Sequence, residues 1–220
     1  MTDILDRLYH PAPAVAGPRV LLVMLPGAGI EAADFAAHGM VDALHERNLP
    51  VDVVATRPAL DLYLDVGVTA ALHRAVIEPA LAQNYAKIWL LGISLGGMGA
   101  LLYASEHATL LEGLILLAPF LGTQGTIAGM AAVGGLAAWS AGPATTAPEA
   151  RMLRWLQHRP PHPALYLGYG EADRFAPGHR MLAAALPASS VVTEDGGHDW
   201  ETWTTLWRQL LDAGLFGGAA

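Results

Sequence analysis

The chain has 220 residues, 53% of them hydrophobic and 15% charged, which suits one folded domain with a large enclosed core and excludes extended disorder. Its formal charge of -8 at pH 7 is not offset by any local run of Lys or Arg, which argues against a nucleic-acid partner. Cysteine is absent, so disulfides, thiolate nucleophiles and Cys-ligated metals are excluded together.

The opening residues, Met1-Thr2-Asp3-Ile4-Leu5-Asp6-Arg7, carry acids and no basic segment followed by an apolar core. No secretory signal is read there, and a cytoplasmic location is expected. The Val/Leu run at 19–25, closed by Pro26-Gly27-Ala28-Gly29, predicts a buried strand ending in a tight loop. Phe35, Met40, Val41 and Leu44 then recur at helical spacing over 31–47, before Pro50. A strand over 51–55, a loop over 57–64 and a long helix over 65–84, kinked or divided at Pro79, follow. Residues 87–91 return to strand, and a helix is expected over 98–107. Further short strands are predicted at 114–117, 165–167 and 191–193, each ending at a loop with polar residues. The weakly polar stretch 127–142 is too short and too rich in Gly and Ala for a membrane span, and no internal repeat is present. Six strands separated mostly by helical patterns predict an open, mostly parallel α/β sheet with helices on both faces and right-handed crossovers. Ligands in such sheets collect beyond the carboxyl ends of the strands.

Between the 87–91 strand and the following helix stands Gly92-Ile93-Ser94-Leu95-Gly96-Gly97. A G-x-S-x-G elbow needs small residues two before and two after the serine, because the chain reverses so sharply that a Cβ there would collide. The plain alternative is a Gly-rich turn with an N-capping serine. If Ser94 is a nucleophile, an acid and a histidine should follow in that order, each after a later strand. Asp173, in Gly168-Tyr169-Gly170-Glu171-Ala172-Asp173, takes the acid slot, with Glu171 as a rival and helix capping as the plain reading. His198, in Gly196-Gly197-His198-Asp199-Trp200, takes the histidine slot ahead of His179, the other histidine after Asp173. Asp195 and Asp199 are alternative partners for it. His198 would take the Ser94 proton during attack and return it to the leaving group, with Asp173 orienting the ring. The backbone N–H of Leu95, at the helix start, and that of Ala28, in the Gly-rich loop, are placed to receive a developing oxyanion.

These residues resemble the α/β-hydrolase family over residues 19–211. The resemblance implies a Ser-His-Asp hydrolase of carboxylic esters or thioesters that uses neither a metal nor an organic cofactor, with fold membership leaving the substrate open. Many relatives carry His-Gly where this chain has Pro26-Gly27. The short leader before residue 19 leaves little room for the antiparallel hairpin that opens many sheets of the family, so a reduced sheet of about six strands is expected.

One domain spans 1–220, with 122–161 in the place of a helical lid. Ile127, Met130, Val133, Leu136 and Trp139 offer one apolar helical face there, and Met152, Leu153, Trp155 and Leu156 offer a second. They would form either a hydrophobic acyl pocket or ordinary core packing. The acidic balance favours neutral or apolar esters, although Arg57, Arg151, Arg154 or Arg174 could hold a carboxylate. A carboxylesterase for small or medium acyl groups is therefore expected, acting on a small-molecule ester or thioester and without stable membrane insertion. The alternatives are a thioesterase, a C–C bond hydrolase on the same residues, and a binding protein that keeps the scaffold without turnover. Epoxide or haloalkane hydrolysis by an aspartate nucleophile is disfavoured, because Ser94 occupies the elbow.

Overall fold

The computed structural model describes residues 5–13, 18–64, 67–140 and 147–217. The start of the expected leader, the first two positions of the helix expected at 65–84, and residues 141–146 of the expected lid lie outside the described residues.

The elements follow in the order β1 (Leu5–His10), β2 (Val20–Leu25), α1 (Asp34–Ala37), α2 (Met40–His45), β3 (Val51–Pro58), α3 (Asp61–Leu64), α4 (Gly67–Leu72), α5 (Glu78–Ala82) and β4 (Lys87–Ile93). Then come α6 (Leu95–His107), β5 (Gly113–Leu117), α7 (Gln124–Ala132), α8 (Pro148–His158), β6 (Ala164–Gly170), α9 (Ala176–Ala183), β7 (Val191–Glu194) and α10 (Trp200–Asp212). The strands form one seven-stranded sheet in the order β1-β3-β2-β4-β5-β6-β7, parallel except for β1. All six expected strands are present. To these β1 adds a seventh, antiparallel strand where little room for an opening antiparallel element is expected, pairing with β3 from Leu5↔Pro58 to His10↔Val53. Only Leu5 of that strand is buried. A ladder on a free sheet edge holds it, and such a ladder needs no alternating apolar pattern.

Alternate side chains of the central strands enter opposite layers, as the period of two requires. Leu21, Val23 and Leu25 of β2, with Leu90 of β4 and Leu116 of β5, join the layer that contains α4, α6 and α8. Leu22, Met24, Leu91, Ile93 and Ile115 join the layer that contains α2 and α10. Trp207 of α10, fully buried, donates its indole N–H to the Met40 carbonyl at 2.9 Å and ties α10 to α2.

The helix expected over 31–47 is broken at Gly39, whose φ of 75° lies in the left-handed region. Part of the loop expected at 57–64 is helical, and β3 runs on through Arg57 and Pro58. Pro79 does not interrupt the helical rod, because a π-helical turn at His73–Ile77 joins α4 to α5. One widened turn absorbs the register change that a proline imposes on the i−4 ladder. No helix among the described residues is long and apolar enough to cross a membrane.

Candidate active site

The turn after β4 is built by three glycines. A Cβ on Gly92 would strike the Gly96 and Gly97 backbone, and one on Gly96 would strike the Leu25 and Pro26 carbonyls. On Gly97 it would lie 2.7 Å from Pro119 Cβ. With those positions bare, Ser94 takes φ 51° and ψ -114° between strand and helix, a backbone region that non-glycine residues adopt only when their surroundings enforce it. Its N–H donates to the Leu117 carbonyl at 3.0 Å, and its own carbonyl accepts from Gly97 N–H at 2.9 Å and Phe120 N–H at 2.8 Å. The Ser94 side chain makes no capping bond to α6, so the plain N-cap reading does not describe it. Its hydroxyl faces His198 instead, with 2.9 Å between Oγ and Nε2.

His198 follows β7 on a loop that crosses close to the end of β6, where a Cβ on Gly170 would overlap the Gly196 carbonyl. Its Nδ1–H donates to Asp173 Oδ2 at 2.7 Å. Phe175 and Trp203 stand edge-on to the imidazole, each with its ring centroid 5.1 Å away. Two aromatic walls thus hold the ring in the plane that reaches both Ser94 and Asp173.

The Asp173 side chain has no exposed surface. Its other oxygen, Oδ1, accepts from Phe175 N–H at 2.8 Å. Burial by itself would raise its pKa, but the His198 and Phe175 hydrogen bonds outweigh burial and hold the carboxyl below its ordinary value. Two of the three rival acids are engaged elsewhere: Glu171 pairs with Arg180 at 2.8 Å, and Asp199 Oδ1 caps α10 by accepting from Thr202 N–H at 3.0 Å.

Ala28 and Leu95, the two expected backbone donors, line one cleft of about 310 Å³ together with Gly27, Arg57, Leu60 and Tyr63. A Cβ on Gly27 would sit 3.3 Å from Ser94 Cβ, so the glycine brings the loop backbone directly alongside the serine. Among the described residues the one acid lining this cleft is Glu31, matched by Arg57 Nε at 2.6 Å.

The other arginines considered as carboxylate holders divide. Arg151 pairs with Glu106 between α8 and α6, whereas Arg174 lies over the Phe175 ring at 4.8 Å. Phe175 and Arg174 also line a second, largely apolar groove of about 350 Å³ with Ile127, Ala131 and Met181. This groove lies between α7 and α9. By contrast, α8 turns Ala150, Met152, Leu153 and Leu156 into the core beside α6.

Several features of the site were not anticipated from the sequence: the aromatic pair around His198, the Phe120 clamp on Ser94, and the full burial of His179. The bulky residues after Asp173 and His198 were the available signal for the first. The clamp is a backbone bond and leaves no mark in residue type.

The strand order, with one antiparallel edge, and a serine forced onto the turn after the central strand put the protein in the α/β-hydrolase class. Residues 70–187, more than half of the chain, match the family described as serine aminopeptidase, S33, and the chain belongs to that α/β-hydrolase family. Similar solved structures include an S-formylglutathione hydrolase from Staphylococcus aureus, with 13% identity, TM-score 0.67, and 96% of this chain and 94% of that one covered. A monoacylglycerol lipase from Paleococcus ferrophilus has 16% identity and TM-score 0.65, covering 98% of this chain and 99% of the other. Est1E from Butyrivibrio proteoclasticus has 15% identity and TM-score 0.63, with coverages of 95% and 94%. At such identities the likeness concerns the fold. No curated protein matches the chain in sequence.

Proposed function

We propose that the protein is a serine carboxylesterase that cleaves esters of small or medium, apolar acyl groups through an acyl-Ser94 intermediate. The observation that carries this reading is the unbroken line from Ser94 Oγ to His198 at 2.9 Å and from His198 to the buried Asp173 at 2.7 Å. Ser94 Oγ attacks the ester carbonyl carbon as His198 Nε2 takes its proton, and the ionised Asp173 stabilises the resulting imidazolium. The carbonyl oxygen becomes an oxyanion that accepts from the N–H groups of Leu95 and Ala28. Collapse of the tetrahedral intermediate breaks the bond to the alkoxy oxygen, which leaves as an alcohol with the proton from His198. Water, deprotonated by the same imidazole, then releases the acid and restores Ser94.

The cleft's pairing of Glu31 with Arg57 supports a neutral ester over a peptide N-terminus. An ammonium group there would find no unpaired carboxylate among the described lining residues. We assign the acyl chain to the apolar groove beside Phe175, with α7 as the covering wall. The expected lid then narrows to α7, because α8 belongs to the core packing.

The test is reaction with a fluorophosphonate probe, location of the adduct by mass spectrometry, and assay of p-nitrophenyl esters, acyl thioesters and aminoacyl amides on the same preparation. Labelling at Ser94, abolished in Ser94→Ala and sharply reduced in His198→Ala, with turnover confined to esters, is expected. Preferred turnover of thioesters or amides would replace the carboxylesterase assignment. A folded protein that neither labels nor turns over any substrate would leave a binding role on this scaffold.

A further inference from the structure

His179 lies on α9 and is fully buried. Its Nε2 is 2.9 Å from the Pro119 carbonyl oxygen. A carbonyl can only accept, so this nitrogen carries the proton and Nδ1 is the bare acceptor. Nδ1 has no hydrogen-bond partner among the described residues and no exposed surface. Burial lowers the pKa of the ring, with the Asp173 charge and the Pro119 carbonyl opposing that effect, so the neutral form with Nε2–H is the stable one. Burying an imidazole with one nitrogen unmet costs free energy that an aliphatic side chain of similar volume would not cost. What the imidazole supplies in return is a single directed donor.

That donor joins two segments that reach the site from opposite sides. On one side, Pro119 follows Ala118, which is held at φ 46°, and packs on Gly97 so tightly that a Cβ there would lie 2.9 Å from Pro119 Cα. The next residue, Phe120, donates its N–H to the Ser94 carbonyl at 2.8 Å. On the other side, His179 N–H bonds to the Phe175 carbonyl at 3.3 Å, and Phe175 N–H holds Asp173 Oδ1 at 2.8 Å. The rings of Phe120 and Phe175 meet edge-to-face at 6.0 Å beside this link.

We infer that His179 is a positioning residue for the proposed hydrolysis: its buried Nε2–H, fixed on the Pro119 carbonyl, locks the loop carrying Asp173 to the loop clamping Ser94. It touches neither substrate nor reacting atoms. The distance between the serine and the acid end of the relay is set by two loops that are far apart in sequence, and this one side-chain bond spans them. Such control acts on the reacting geometry and so on turnover, since misplacement by about 1 Å can cost roughly 100-fold in rate. Substrate affinity, set in the cleft and the groove, is left in place.

This inference rests on Ser94 being the nucleophile, so the experiment reads that first. Wild type, Ser94→Ala, His179→Gln, His179→Asn and His179→Leu are compared by fluorophosphonate labelling rate and by kcat and KM on a short-chain p-nitrophenyl ester, with near-ultraviolet circular dichroism as the fold check. Glutamine puts an amide N–H where Nε2 stood, asparagine puts it where Nδ1 stood, and leucine has none. The expected result is a fall of about 10- to 100-fold in kcat and labelling rate for Asn and Leu, unchanged KM, and recovery to within about threefold of wild type for Gln. If the Leu variant does not fold, the contrast between Gln and Asn carries the test. Equal impairment of Gln and Asn, a loss expressed in KM, or full kcat in Asn or Leu would overturn the positioning role while wild-type labelling at Ser94 stands. A wild-type protein unlabelled at Ser94 would instead overturn the nucleophile reading, and the positioning role with it.

Discussion

Asp173 Oδ2 accepts the Nδ1–H of His198 at 2.7 Å while its Oδ1 is held by the Phe175 N–H. Neither oxygen is free to swing, and the ring can present only Nε2 to Ser94. Asp173→Asn keeps the shape but puts an amide beside His198, which favours the wrong tautomer. We expect kcat on a p-nitrophenyl ester to fall roughly 1,000- to 10,000-fold with KM little changed. A loss under about tenfold would move the role to Asp195 or Asp199.

Gly97→Ala would place a Cβ 2.7 Å from Pro119 Cβ and 2.9 Å from its Cα, in a contact where neither backbone can yield. A destabilisation of about 1–3 kcal/mol is expected from such overpacking, together with loss of Ser94 labelling as the elbow is pushed open. Gly129→Ala is the contrasting case: it lies within α7, and its nearest neighbour would be Trp139 Nε1 at 4.0 Å. That substitution should stabilise by about 0.5–1 kcal/mol, because it removes the conformational freedom of glycine from a helix interior. Urea melts of the two variants beside wild type check both signs.

Asp52 is buried at the amino end of β3, where it accepts from Ala12 N–H at 2.7 Å and Tyr85 OH at 2.6 Å and pairs with Arg19. Burial would raise its pKa, yet these donors together hold it below the ordinary value. Asp52→Ala should cost about 1–3 kcal/mol in a urea melt, the usual range for losing hydrogen bonds to a charged group. Its kcat should be unchanged, because the site lies at the opposite, carboxyl ends of the strands. A variant as stable as wild type would show that the cluster contributes nothing net.

Acid should weaken the fold already around the ordinary histidine range. Burial lowers the pKa of His179, and burial together with the stacked His73 lowers that of His107. Below about pH 6.5, the ordinary histidine value, the unfolded chain therefore binds protons that the folded chain refuses. Stability is complete above that pH and is lost as pH falls towards the folded values. Asp173 and Asp52, whose pKa values are depressed, add a further loss only below the ordinary carboxylate range. Melting temperatures from about pH 7.5 to about pH 5.5 should decline in wild type and decline less steeply in His179→Gln. Equal slopes would show that His179 takes up its proton as readily folded as unfolded.

The three candidate residues, Ser94, Asp173 and His198, are legible in the chain because each requirement is local. Gly92, Gly96 and Gly97 mark a reversal that a Cβ would block, and Asp173 and His198 each stand directly after an apolar run that the period-two pattern marks as strand. Five strands of the parallel sheet are legible for the same reason, since burial on both faces demands continuous runs such as Leu114-Ile115-Leu116-Leu117, and the edge strand β7 shows through its β-branched Val191-Val192-Thr193. The antiparallel strand Leu5–His10 is not, because a mostly exposed edge strand is selected by a vacant ladder on β3 and not by its own side chains. Nor could the chain show that α8 would be core while α7 lines a groove, since both carry apolar positions and only the neighbour each one meets separates them. His179 states the division most plainly. The sequence by itself places a histidine near the start of a helix, whereas its burial, its tautomer and its bond to Pro119 arise from the approach of two loops some sixty positions apart, and a contact of that kind exists only once the sheet has brought β5 and β6 side by side.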